Sequence, residues 1–155
     1  MENQTQPSLP QVSEITLSYR LHVKPSQLPK ITRSQEAYNL FLNSWDADKI
    51  EFIEQFKVML LNRANKVLGV LEVSSGGVSG TVADPKIIFV AALKANACGI
   101  IVAHNHPSGN LKPSESDVAI TRKLKEGGKL LEISLLDHVI LTTEGHFSFA
   151  DEGLL

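Results

Sequence analysis

Apolar positions along the chain switch between two periods, and each switch marks an element. From Glu14 to Val23 apolar and polar residues alternate, which predicts a strand. Pro25 and Pro29 punctuate a linker, while the preceding Met1 to Gln11, rich in Gln and Pro, is expected to be mobile. Ser34 to Trp45 takes the helical period, with Tyr38, Phe41, Leu42 and Trp45 on one apolar side that reads as core rather than as a ligand box. Phe56 to Asn62 and Val67 to Val73 read as strands, and they flank Arg63-Ala64-Asn65-Lys66, which suggests a hairpin. Ser74 to Gly80 is a glycine and serine loop. Asp84-Pro85 supplies the cap and first-turn proline of a helix running to about Asn96. Gly99-Ile100-Ile101-Val102-Ala103 is a short apolar run of the kind a buried strand shows. Ser114 to Lys125 reads as a helix closed by Gly127-Gly128. Two more strands, about Ile133 to Leu141 and His146 to Phe149, meet at Glu144-Gly145. This order predicts an α/β fold: a mixed β-sheet sandwiched by helices.

Composition narrows the class. With 155 residues, 43% of them hydrophobic and 21% charged, the chain is long enough for one soluble domain with a sizeable core. We expect an N-terminal extension over residues 1–30, carrying one strand, and a single domain over 31–155. A formal net charge of -2 offers no basic footprint for nucleic acid. Lys112, Arg122, Lys123, Lys125 and Lys129 cluster locally but read as a solvated helix face. The lone Cys98 excludes an intrachain disulfide and reads as a small packed hydrophobe. With no secretory signal and no apolar run of about eighteen residues, the expectation is a cytoplasmic protein without a membrane segment.

Candidate chemistry concentrates in His104-Asn105-His106-Pro107-Ser108-Gly109, followed by Ser114 and Asp117. Two imidazoles and a carboxylate make the ligand set of a mononuclear site, and on zinc they leave one position open, as in catalytic rather than structural sites. His104 and His106 stand at i and i+2, so in an extended segment both rings project to one face. They also follow a strand, where catalytic groups tend to sit. Each piece has a plainer explanation. An isolated His-x-His is usually incidental, and Ser114 with Asp117 also spells a helix capping box.

Together, however, His-x-His-Pro and Ser-x-x-Asp, with Asp117 eleven positions after His106, resemble the JAMM (MPN+) metalloprotease signature at every motif position. Within that superfamily His-Asn-His-Pro-Ser-Gly, Lys112-Pro113-Ser114, Leu135-Leu136-Asp137-His138 and the ending Phe147 to Gly153 resemble the bacterial RadC-type branch, over about Ile31 to Leu155. The resemblance implies a JAB/MPN-like fold, a Zn2+ ion on His104, His106 and Asp117, and hydrolysis of peptide or isopeptide bonds in a peptide or protein substrate. It further implies an upstream glutamate that takes the proton of the attacking water, and a Ser114 hydroxyl that stabilises the oxyanion.

For the glutamate, Glu54 is the first choice. It opens a predicted strand with Phe56, Val58 and Leu60 on the same apolar face, where a carboxylate is anomalous. Glu72 is second, and Glu51 reads as a surface charge. Ser108 and Gly109 look like loop-shaping residues. Asp137 and His138 are candidates for orienting a ligand, but His138, like His22, reads first as an ordinary structural histidine; His146 is weaker still. Two alternatives remain: a metal-free MPN-like binding scaffold, which the intact ligand set opposes, and a DNA-repair role suggested by the naming of the RadC-type branch. Longer members of that branch carry an N-terminal helix-hairpin-helix region for which this chain is expected to lack room. Deaminase-type zinc would need Pro-Cys-x-x-Cys, and non-haem iron on two histidines and a carboxylate ranks behind zinc.

Overall fold

A computed structural model describes residues 11–77 and 81–155. The sequence expectations for Met1 to Pro10 and for the tip of the Ser74 to Gly80 loop fall outside the described residues. The element order is α1 (Ser34–Ser44), β1 (Gln55–Leu61), β2 (Val67–Ser75), α2 (Pro85–Lys94), β3 (Gly99–Asn105), α3 (Glu115–Leu130), β4 (Ser134–Leu141) and β5 (His146–Ser148). The strands form one sheet in the order β2-β1-β3-β4-β5. β3 and β4 are parallel, joined across α3, and the remaining neighbours are antiparallel. This is the mixed α/β sandwich that the alternating periods predict.

Every residue of β1 and β3 is buried, because helices cover both faces of the central strands. On one face Ala37, Tyr38 and Phe41 of α1 pack with Met59, Leu61, Ile101, Ala103 and Val139. On the other, Ile88 and Ala92 of α2 and Leu124 of α3 meet Phe56, Val58, Leu60, Ile100 and Val102. Period two assigns His104 to the second face, after Ile100 and Val102. The residue sits opposite Phe56 in the β1 register.

Two expectations are corrected. Glu14 to Val23 carries no strand: the segment is irregular, with Ile15 and Leu17 exposed. Alternation marks a chain suited to a ladder, but among the described residues no strand pairs with it. The second correction concerns Gly127-Gly128, which lie inside α3 rather than closing it. They are small for contact reasons. A Cβ on Gly128 would come within 2.2 Å of the Ile133 carbonyl oxygen, whereas one on Gly127 would meet only the Phe89 ring, at 3.0 Å. Helix α3 can therefore lie close to the turn that leads into β4. Among the described residues no helix is long and apolar enough to cross a membrane.

These contacts separate two otherwise similar substitutions. Gly128→Ala should lower the unfolding free energy by about 1–3 kcal/mol, because backbone must shift to admit the methyl group. Gly127→Ala should be nearly neutral, as a ring that can yield is offset by alanine's better helix propensity of about 1 kcal/mol. Urea unfolding of both variants checks this; equal losses would count against close packing at Gly128.

Candidate metal centre

The site assembles where β3 runs out. His104 is the penultimate residue of β3, and the backbone N–H of His106 donates to the Leu141 carbonyl at 3.2 Å, carrying the pairing with β4 one step further. A turn then closes from the Gly109 N–H to the His106 carbonyl at 3.0 Å, with Gly109 at φ +82°. That conformation favours glycine, so Gly109 does shape the loop. The chain re-enters regular structure at the capping box of α3. Ser114 Oγ accepts from the Asp117 N–H at 3.1 Å, and Asp117 Oδ2 accepts from the Ser114 N–H at 2.7 Å.

The box aims the Asp117 carboxylate at the histidines. Its Oδ1 lies 3.1 Å from His104 Nε2, its Oδ2 lies 3.7 Å from His106 Nε2, and the two Nε2 atoms stand 2.9 Å apart. Donors around one tetrahedral ion with bonds of about 2.0–2.1 Å would stand about 3.3–3.4 Å apart. The observed spacings straddle that value, so the donor set fits a single metal ion with little rearrangement. The ligand atoms of His104, His106 and Asp117 all lie within 4.8 Å of one another.

Electrostatics point the same way. His106 Nδ1 lies 2.5 Å from the Asn110 carbonyl, which can only accept, so the ring donates from Nδ1 and turns Nε2 to the cluster. Contact with Asp117 outweighs burial and raises the His106 pKa. For Asp117, burial pushes the carboxyl pKa up, but contacts with His104 and His106 prevail and hold it far below the ordinary carboxylate value. The cluster therefore favours a shared positive charge, which a proton or a metal ion can supply.

A cleft of about 500 Å³ opens over this group, lined by Glu54, His106, Ser108, Ser114 and Asp117 among others. Glu54 immediately precedes β1 rather than opening it, and still reaches the cleft. Asn105, buried between the two histidines, secures its backbone on both sides. The Asn105 side-chain amide donates to the Ile53 carbonyl at 2.8 Å, while its oxygen accepts from the Gln55 N–H at 2.7 Å. Glu72 is elsewhere, accepting from the Gln55 side chain at 3.0 Å. Glu51 is exposed and accepts from the Thr143 hydroxyl at 2.8 Å.

Sequence reasoning missed Asn105 and Thr121, and it misjudged His138. His138 is no ordinary structural histidine: its Nε2 lies 2.8 Å from His104 Nδ1. Its ring is fully buried and stacks on Phe149 with centroids 4.7 Å apart. Burial and the neighbouring His104 hold its pKa well below the ordinary imidazole value. Asp137 orients no ring; it accepts from the Ser148 hydroxyl at 2.6 Å and the Ala150 N–H at 3.0 Å, fastening the C-terminal segment. His22 is exposed, and His146 stacks on Tyr38, away from the cluster. The leucines and aspartate around His138 were its only sequence cue.

A family model described as the RadC-like JAB domain matches residues 31–154. Among curated relatives, a UPF0758 protein of Flavobacterium johnsoniae is 40% identical over 128 residues, covering 83% of this chain and 55% of the relative. A UPF0758 protein of Thermotoga maritima is 36% identical over 144 residues, covering 91% of this chain and 62% of the relative. The chain thus spans between half and two thirds of the length of these relatives.

The geometry predicts about one divalent metal ion per chain, measured by elemental analysis after metal supplementation and desalting. Occupancy should collapse in His104→Ala, His106→Ala and Asp117→Ala. Uptake should release protons and weaken as pH falls through the raised His106 pKa, since the protonated ring cannot ligate. Full occupancy in Asp117→Ala would leave that carboxylate as a helix cap alone.

Proposed function

This chain belongs to the RadC-like JAB domain family, and from that premise we propose that it is a zinc-dependent metallopeptidase that hydrolyses peptide or isopeptide bonds. The observation that carries the reading is the convergence of His104, His106 and Asp117 beside a cleft that His106, Asp117, Glu54 and Ser114 line. Two nitrogens and a carboxylate oxygen suit zinc and leave a coordination position for chemistry. Zinc held there supplies Lewis-acid polarisation of a carbonyl and lowers the pKa of a water from ~15.7 towards ~7.

The chain's own residues do the rest. Glu54 accepts the proton of the attacking water and returns it to the departing amine, so one carboxylate serves as base and then acid. Asn105 holds the peptide groups on either side of Glu54, which limits how far that carboxylate can stray. Ser114 already accepts from the Asp117 N–H, which leaves its hydroxyl hydrogen for an oxyanion developing in the cleft. Losing one such donor costs about 3 kcal/mol of transition-state stabilisation. We assign the enzyme to the reducing cytoplasm, a reading supported by its single Cys98.

Glu54→Gln should keep fold and metal while lowering kcat/KM roughly 10²–10⁴-fold, because the amide cannot take a proton. Glu72→Gln should stay active. Wild-type protein with a chelator control, screened on a peptide and isopeptide library, supplies the assay; a dead Glu72→Gln beside an active Glu54→Gln would move the base to β2. Ser114→Gly should cost the helix cap only a few tenths of a kcal/mol yet slow hydrolysis roughly 10²–10³-fold.

A DNA-directed role makes a different demand. Neutralising several phosphates requires affinity that falls steeply with salt, and the net charge of -2 with a solvated basic face on α3 does not favour it. Fluorescence anisotropy near physiological ionic strength should give dissociation constants no tighter than ~10⁻⁴ to 10⁻⁶ M. Nanomolar, salt-steep binding weakened by charge reversal at Arg122, Lys123 and Lys125 would favour the nucleic-acid reading.

A further inference from the structure

We propose that Thr121 and His138 form a hydrogen-bond relay that dictates which ring nitrogen of His104 faces the metal cluster, which makes both of them positioning residues. The proposal rests on the metal-site reading above, but its core is a chain of donors and acceptors that leaves one consistent assignment.

The relay starts at a group of fixed character. The Asp117 backbone carbonyl can only accept, and Thr121 Oγ1 lies 2.6 Å from it, one turn further along α3. A hydroxyl has one hydrogen, so Thr121 spends it there. Its second close contact, 2.6 Å to His138 Nδ1, must then be one in which the oxygen accepts and the ring donates. His138 is fully buried and its ring touches no carboxylate, so it is neutral, and a neutral ring protonated on Nδ1 is bare on Nε2. That bare nitrogen faces His104 Nδ1 at 2.8 Å. His104 must donate from Nδ1, so in the neutral ring it is Nε2 that stays unprotonated, directed at Asp117 Oδ1, 3.1 Å away, and at His106 Nε2.

The relay leaves the Asp117 backbone, passes through Thr121 and His138, and ends at His104, whose unprotonated Nε2 faces the Asp117 carboxylate. The helical turn that supplies one ligand thereby sets the tautomer of another. The surroundings hold the relay still: Phe149 stacks on His138 at 9° between planes, and Phe56 lies parallel to His104 at 4° with centroids 6.0 Å apart. For His106 the same service comes from the Asn110 carbonyl. Both histidines thus present Nε2 as a lone pair, the form that a metal requires.

Thr121→Val is the informative variant, because valine matches threonine in shape and Thr121 does not line the cleft over the cluster. Without an acceptor for Nδ1–H, His138 should move its proton to Nε2 and donate to His104, forcing the His104 proton onto the nitrogen that must ligate. Long-range ¹H–¹⁵N spectra of metal-free protein at alkaline pH should show Nδ1–H in both rings of the wild type and of Thr121→Ser. The same spectra should show Nε2–H in both rings of Thr121→Val. Zinc affinity, measured by competition with a chromophoric chelator, should fall roughly 10–100-fold in Thr121→Val and recover in Thr121→Ser. His138→Gln, which restores an acceptor for His104, should bind zinc more tightly than His138→Leu. An Nε2–H tautomer of His104 in the wild type, or unchanged tautomers and affinity in Thr121→Val, would overturn the relay. Tautomers as assigned in a wild type that takes up no zinc would support the relay while contradicting the metal reading.

Discussion

Two imidazole nitrogens that present lone pairs to each other and to a carboxylate at hydrogen-bonding distance repel unless a cation is shared among them, and the rest of this molecule is arranged around that constraint. The groups approach to 2.9, 3.1 and 3.7 Å. In water such a set would separate. Here three backbone devices prevent it: the end of a central strand, a turn closed at Gly109, and a helix cap at Ser114. None of the three can relax without breaking hydrogen bonds that serve the fold itself. Mutual repulsion is thereby converted into affinity for positive charge.

Several residues serve fold and site together, and this economy explains the local density of buried polar groups. The capping box satisfies backbone donors at the start of α3, which is typically worth about 1 kcal/mol, and the same carboxylate is the third of the groups that could hold a metal ion. Asn105 uses its oxygen and both amide hydrogens on backbone groups flanking the approach to β1, where Glu54 sits. His138 has both ring nitrogens occupied although it is fully buried. A buried polar group without a partner costs about 1–3 kcal/mol, so each of these contacts constrains its neighbours. Geometry at the cluster is therefore coupled to the integrity of the sheet around it.

What the chain reveals unaided follows from the range of each interaction. Helix α1, the β1–β2 hairpin and the cap at Asp84 depend on neighbours within one element or turn, and periodicity shows them directly. His104 and His106 were legible because strand geometry carries an i, i+2 spacing onto one face, whereas Asp117 alone spells a helix cap and reads as a ligand through the resemblance to the JAMM signature. Gly127-Gly128 misled because glycine is as suited to a close approach as to a helix end, and only the nearby Ile133 carbonyl distinguishes the two. The Glu14 to Val23 alternation misled because a strand exists only with a partner. The contacts of His138 with His104, of Thr121 with His138 and of Asn105 with Gln55 bridge separations of 34, 17 and 50 residues. No local pattern encodes them; those of His138 arise from the parallel pairing of β3 with β4 and the crossover between, and that of Asn105 from the antiparallel pairing of β1 with β3.

The central claim is that the fold presents a preformed three-ligand metal site. Crystallography of zinc-loaded protein with anomalous data at the zinc absorption edge tests it most directly. One strong peak is expected at about 2.0–2.1 Å from His104 Nε2, His106 Nε2 and an Asp117 oxygen, with the surrounding backbone essentially unmoved. A peak at other residues, ligation through either Nδ1, or a rebuilt loop between His106 and Ser114 would contradict it.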